Sequence, residues 1–340
     1  MMVLIHNFAR KIVNMKRLLF LPLLVLCLSG CMMEELDKES PAQEAKEYLV
    51  PIKMAGEILE IEEGPLTKAA TNNDLYGFQV MYKKAEDIEY TPFAYGLFDD
   101  ISNAKIKLRK GYVYQFICSM VKDGKVKIYH SNGNYDWLYN MDLNNDFTYN
   151  ISADYRHSLR RGEVRLILGL GKFGFYNIPN IDRYYGEISN IIPSATSPVS
   201  INMLRVVFGF KCVVEGLKEG KLKISLGSSS GKESSPSVYI NTGETQVFED
   251  IYTFYSFSDD GDNEYLKANY YLNVVHEHSD GTKEVIVNKE VQFNRNKKTT
   301  VTIKVNSNDV TGDQLAEAGV GVVIDDTPMT DGDKVVIDGK

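Results

Sequence analysis

The chain has 340 residues, with 38 basic against 46 acidic side chains and a formal net charge of −8. That balance repels phosphate backbones and excludes nucleic acid as a partner class. Tyrosine (21) and phenylalanine (15) are abundant while helix-forming runs are scarce, which favours strands.

Residues 15–31 read MKRLLFLPLLVLCLSGC. Lys16 and Arg17 give a positive start, and residues 18–28 form an apolar run of signal-peptide length, too short for a membrane span. Leu28-Ser29-Gly30-Cys31 then resembles the lipobox of bacterial lipoproteins, where small residues precede the cut and the cysteine thiol takes a diacylglycerol. Cys31 is thus the expected lipidation site, tethering the chain to the outer membrane by acyl chains. Each such chain contributes about 0.8 kcal/mol per buried CH2. Residues 1–14 read as an upstream start before Met15, and residues 1–30 as a signal peptide. Without them the chain loses Arg10, Lys11, Lys16 and Arg17 and no acid, leaving 34 basic against 46 acidic groups, or −12. Everything after Cys31 is expected outside the cytoplasm.

Residues 31–46 are a lipidated, acidic tether (CMMEELDKESPAQEAK). Residues 48–58 (YLVPIKMAGEI) form a first strand with Tyr48, Val50, Ile52 and Met54 in alternation. A strandless loop over residues 59–74 carries Lys68 before Ala69 and Ala70, and such an exposed basic residue before small ones is accessible to a protease. Strands follow at 75–82 and 93–98. A turn at Lys110-Gly111 then feeds a strand reaching Cys118 that is apolar on both faces, as at the centre of a sandwich. Lys122-Asp123-Gly124-Lys125 reads as a hairpin turn into 126–129. A loop rich in Asn, Asp and Tyr spans 131–149, and a strand spans 163–170. Residues 201–214 (INMLRVVFGFKCVV) read as one half-buried strand.

The turn at 216–220 is the expected domain boundary, dividing residues 47–217 from 218–340. Beyond it, strands are expected at 221–226, 238–240, 253–257, 265–278, 284–293 and 299–305, with a hairpin turn at Ser279-Asp280-Gly281. The tail holds a helix candidate at 313–318 and short strands at 320–324 and 334–337. Many short strands between turn signals make the chain all-β, built of β-sandwiches. Cys118 and Cys212, both in apolar runs, fit either a disulfide or two buried thiols.

Several motifs suggest chemistry. Gly169-Leu170-Gly171-Lys172-Phe173-Gly174 matches G-x-G-x-x-G, but no helix pattern follows to bind a pyrophosphate, so a glycine-rich turn is expected. His276-Glu277-His278 puts two imidazoles on one strand face with no third ligand identifiable in sequence, so no metal is expected. The oxygen-rich run 259–264 lacks EF-hand spacing and reads as a solvated turn. Tyr135, Trp137 and Tyr139 are a candidate sugar-stacking platform, the alternative being aromatics that pin their loop to the sandwich. No nucleophile motif is present, and neither a cofactor nor an enzymatic activity is expected.

Taken in order, these pieces resemble the fimbrillin family, the two-domain lipoprotein subunits of Bacteroidetes-type fimbriae. Its parts here are the lipobox at Cys31, with Glu34 and Glu35 after it like a surface-export signal; the early strand; Lys68 before the next strand; the Lys110-Gly111-Tyr112 entry; residues 203–210 (MLRVVFGF); and residues 293–301 (FNRNKKTTV). The resemblance implies two transthyretin-like or Ig-like β-sandwich domains in tandem. It also implies assembly with other fimbrial subunits at the cell surface, serving adhesion to an unidentified surface ligand. A trypsin-like protease would cut at Lys68–Ala69, although family members often carry arginine there. The strand bearing Tyr48, Val50, Ile52 and Met54 would leave, and a donor strand from another subunit's tail, residues 320–324 or 334–337 here, would take its place. The rival expectation is a surface glycan-binding lipoprotein, with a surface hydrolase the third.

Overall fold

The computed structural model describes residues 46–56, 73–243, 245–257, 266–305 and the backbone of 321–328. They belong to one compact unit running from Ala45 onward. The signal segment, Cys31, the tether, Lys68 and Ala69, the run 259–264, the helix candidate at 313–318 and the strand candidate at 334–337 lie outside the described residues.

The chain is all-β, as its alternation predicts. In chain order come β1 (Glu47–Gly56), β2 (Leu75–Lys84), β3 (Thr91–Phe98), β4 (Lys105–Arg109) and β5 (Tyr112–Val121), then α1, a single turn over Gly124–Lys127. Four two-residue strands follow: β6 (His130–Ser131), β7 (Asn134–Tyr135), β8 (Met141–Asp142) and β9 (Thr148–Tyr149). After α2 (Arg156–Leu159) come β10 (Val164–Gly169), β11 (Lys172–Tyr176), β12 (Arg183–Ile191) and β13 (Val199–Arg205). The remaining strands are β14 (Val207–Glu215), β15 (Lys221–Gly227), β16 (Val238–Asn241), β17 (Thr245–Thr253), β18 (Lys267–Glu277), β19 (Lys283–Asn294), β20 (Lys297–Lys304) and β21 (Gly321–Pro328).

An eight-stranded sheet runs in the order β4-β1-β13-β12-β5-β2-β3-β9. The Lys107 amide on β4 donates to the Tyr149 hydroxyl on β9 at 2.8 Å, so the two ends of that order meet and the sheet curls round its core. Inside lie Val50, Phe78, Ile106, Leu108, Phe116 and Ile201, with Phe78 and Phe98 edge to face at 5.5 Å. A second core lies among the four-stranded sheets β17-β14-β20-β21 and β16-β15-β18-β19, and extends to Leu75, Ile117 and Val121 on the opposite faces of β2 and β5. β2 and β5 are therefore buried on both faces, as the unbroken apolar run ending in Cys118 requires.

The single strand expected over 201–214 is two strands in two sheets. Ile201 and Met203, at odd positions, face the first core, whereas Phe208, Phe210, Cys212 and Val214, at even positions, face the second. A period of two cannot change parity without a break, and the break falls at Val206, whose amide donates to the Arg183 carbonyl at 2.9 Å. The two arginine motifs meet at this crossing. Arg205 donates twice to the Asp182 carboxylate, at 2.8 and 3.0 Å, and its carbonyl accepts from Arg295 Nη1 at 3.3 Å.

Two further expectations change, and the open question of the cysteines is answered. Asp123-Gly124 is not a hairpin turn: a type I′ turn needs positive φ at both central residues, and only Asp123 has it (φ 55°), so the chain enters α1. β11 and β12, read from sequence as loops, are strands, and β17 precedes the expected 253–257. Cys118 lies in the first core and Cys212 in the second, both as free thiols, so there is no disulfide; burial pushes the Cys212 thiol up to about 12.

Candidate functional site

β1 is the strand the sequence singles out, and the structure places it inside a sheet. Its first half pairs antiparallel with β4, from Glu47 opposite Arg109 to Pro51 opposite Lys105. Its second half pairs parallel with β13, from Ile52 opposite Val199 to Gly56 opposite Met203. The change of partner falls at Pro51, which has no amide to donate, and the next amide, of Ile52, donates to the Ala104 carbonyl at 2.9 Å.

The alternation seen in sequence is realised. Val50 and Ile52 are buried and Tyr48 and Met54 half-buried, whereas Leu49, Pro51 and Lys53 face out. Full burial of Val50 and Ile52 stabilises the unit by about 1.5–3 kcal/mol each. By contrast, the Glu47–Arg109 ion pair at 3.5 Å is about half exposed and contributes little. At the far end Gly56 has φ +89°, and an added Cβ would lie 2.2 Å from Asn202 Oδ1 and 2.7 Å from the Met203 carbonyl oxygen. Only glycine lets the chain leave β13 so closely.

The walls of this slot have supports independent of β1. The outward amides of β4 are held by tyrosine hydroxyls, Lys107 N–H by Tyr149 at 2.8 Å and Arg109 N–H by Tyr114 at 2.9 Å. Ile106 and Leu108 on one side, and Val199, Ile201 and Met203 on the other, belong to the first core that β1 completes. Without β1, a row of backbone donors and acceptors would stand open along an apolar slot.

The other candidate residues fare differently. Tyr135 and Tyr139 are buried, Tyr139 donating to the Leu75 and Ser119 carbonyls at 3.1 and 3.2 Å, and Tyr135 stacking on His130 at 4.6 Å. Trp137 is half-buried, and its indole Nε1 has no hydrogen-bond partner among the described residues. The three rings present no common open face, which overturns the sugar platform in favour of aromatics that pin the loop. The G-x-G-x-x-G run is the turn of the β10–β11 hairpin, with Gly169, Leu170 and Gly171 all at positive φ. Of the tail segment 320–324, residues 321–324 fall in β21, which pairs within its own sheet, antiparallel to β20 from Lys304 opposite Gly321 to Lys297 opposite Pro328. His276 and His278 meet Glu219, a residue that sequence reasoning missed because 57 positions separate it from His276 and no pattern links them.

No family model and no curated protein matches the chain. Among solved structures the chain is similar to the fimbrial anchor protein Mfa2 from Porphyromonas gingivalis, with 10% identity and a TM-score of 0.35 over 83% of this chain and 98% of that one. It is also similar to a candidate cell adhesion protein from Bacteroides eggerthii, with 9% identity and a TM-score of 0.36 over 84% of this chain and 97% of the other. A candidate adhesin from Bacteroides ovatus gives 12% identity and a TM-score of 0.32, covering 79% and 88%.

Proposed function

We propose that this chain is a non-enzymatic structural subunit of a cell-surface adhesive fibre, held at the outer membrane by lipid on Cys31 and joined to other fimbrial subunits by strand exchange. A protease cuts between Lys68 and Ala69, β1 leaves, and a tail strand of another subunit enters between β4 and β13. The observation that carries this reading is the placement of β1. The first described strand lies between two others, paired with β4 along its first half and with β13 along its second, with Val50 and Ile52 filling the core. The incoming strand would restore both ladders and supply apolar residues at alternate positions, so it would meet the polar and apolar needs of the slot at once. The order of the lipobox, first strand, Lys68 and the two arginine motifs supports the same reading.

Trypsin treatment of the purified full-length chain tests it. Intact mass and N-terminal sequencing should place the cut at Lys68–Ala69, and electron microscopy should show polymers afterwards. A chain cut there that stays monomeric with β1 retained in the slot would contradict the proposal.

A further inference from the structure

The corner of the second core where β18 turns into β19 holds a group of side chains that strand exchange does not use. His276 and His278 share one face of the strand end, their ring centroids 3.9 Å apart, while Glu277 points away to pair with Lys221 at 3.0 Å and Lys283 at 2.8 Å. Glu219 arrives from the connection between β14 and β15. Its approach depends on Gly220, at φ +67°, where an added Cβ would lie 2.2 Å from the Glu277 carbonyl oxygen. His276 Nε2 lies 2.9 Å from the Glu219 carbonyl oxygen and 3.6 Å from Glu219 Oε1, and His278 Nδ1 is hydrogen-bonded to that same Oε1. One ligand atom from each of the three residues falls within 4.8 Å of the others.

We propose that Glu219, His276 and His278 form a binding site for a divalent transition-metal ion of the zinc class. Two imidazoles and one carboxylate are a donor set that suits zinc, with solvent in the fourth position. In a tetrahedral site with bonds of about 2.0–2.1 Å, neighbouring ligand atoms stand about 3.4 Å apart. The 3.6 Å between His276 Nε2 and Glu219 Oε1 is close to that edge. The ion takes the place of the protons that bridge these groups in the metal-free molecule.

The surrounding groups support this assignment. Nε2 of His278 lies 3.5 Å from Glu284 Oε2, on the ring side away from Glu219. Once the ion has displaced the proton that Nδ1 shares with Glu219, a carboxylate there would hold the remaining proton on Nε2, the outer-shell arrangement that orients metal-bound histidines. The Ser279 amide donates to Glu219 Oε2 at 2.8 Å, fixing the carboxylate with Oε1 toward the imidazoles. His276 is buried while Glu219 and His278 are part-exposed, so the site has a dry inner ligand and an open outer side. A bound ion would clamp the β14–β15 connection to the β18–β19 turn.

Calorimetric titration of the purified full-length chain with ZnCl2, and the visible spectrum with CoCl2, test the site. One equivalent of zinc should bind, and cobalt should give the intense bands of a tetrahedral centre. Glu219→Gln and His278→Gln, at part-exposed positions, should each abolish that equivalent while the circular dichroism spectrum stays unchanged. Glu284→Gln should weaken binding about 10–100-fold, as loss of an outer-shell partner does. Absence of zinc binding, or binding that survives both ligand substitutions, overturns the proposal. Neither result bears on strand exchange.

Discussion

The first and last described strands, β1 and β21, are added to their sheets in opposite ways. β1 is paired with β4 along its first half and with β13 along its second, whereas β21, among the described residues, is paired only with β20, at the end of its sheet. Removing β21 leaves one shorter sheet with a new edge, whose strand Lys297–Lys304 carries three lysines that discourage further pairing. Removing β1 opens a slot inside a curled sheet and uncovers its core. A strand that plugs an interior slot makes its loss visible to a partner, and a strand that caps an edge does not. On the strand exchange proposed above, the chain would therefore offer a vacancy where β1 leaves and a spare edge strand at β21.

Substitutions can break or sharpen that contrast. The largest effect is expected from Ile52→Ala, which removes a buried β1 side chain and should cost about 2–5 kcal/mol in denaturant unfolding. Leu49→Ala, one pleat outward and mostly exposed, is the control and should stay within about 0.5 kcal/mol. Equal losses at the two positions would mean that β1 does not plug the core. Next comes Arg183→Met. This fully buried guanidinium donates to Ser119 Oγ at 2.7 Å, to the Leu159 carbonyl at 2.8 Å and to the Arg161 carbonyl, and lies over the Phe257 ring at 4.8 Å. Stranding those acceptors has a cost that is largely offset because no charge is then buried, leaving a net loss of about 1–3 kcal/mol.

Gly56→Ala tests the exit of β1 from β13. The positive φ and the contact with the Met203 carbonyl should cost about 1–3 kcal/mol, read as a lower midpoint of thermal unfolding. The smallest effect is in the second core. Burial raises the Asp250 carboxyl above its ordinary value, against the opposing hydrogen bond from Asn180 Nδ2 at 2.9 Å. A raised folded-state pKa penalises the charged form, so the cost is full at neutral pH. It fades as pH falls through the folded value toward 3.8, where Asp250 is protonated in both states. Asp250→Asn should therefore raise the melting temperature at pH 7 and lose that advantage below about pH 3.8. A constant difference across pH would contradict this assignment.

Much of the fold was legible because burial writes a period of two. Tyr48, Val50, Ile52 and Met54 alternate along one strand in the sequence, and in the structure Val50 and Ile52 are buried and Tyr48 and Met54 half-buried. The apolar run through Cys118 announced a strand covered on both sides. Residues 201–214 misled because Val206 and Val207 are both buried: the run is continuously apolar, and only the partners on each side reveal the parity change. β12 was missed because Tyr-Tyr-Gly-Glu lacks alternation, being a strand that faces two cores. Tyr135 and Tyr139 looked like binding residues because composition does not report which side of a loop faces the core. Glu219 was invisible beside His276 and His278, since the Gly220 turn that brings them together is a tertiary contact.

The most direct test of the strand-exchange account is a reversible lock on β1. Leu49 and Lys107 stand opposite each other on β1 and β4 and both face outward, so cysteines at both positions would bridge the two strands. In the oxidised Leu49→Cys, Lys107→Cys protein, trypsin should cut at Lys68–Ala69 yet leave monomers with β1 attached. Adding a reductant should then release β1 and produce polymers. Polymers of undiminished yield in the oxidised protein would show that assembly does not pass through the slot that β1 fills.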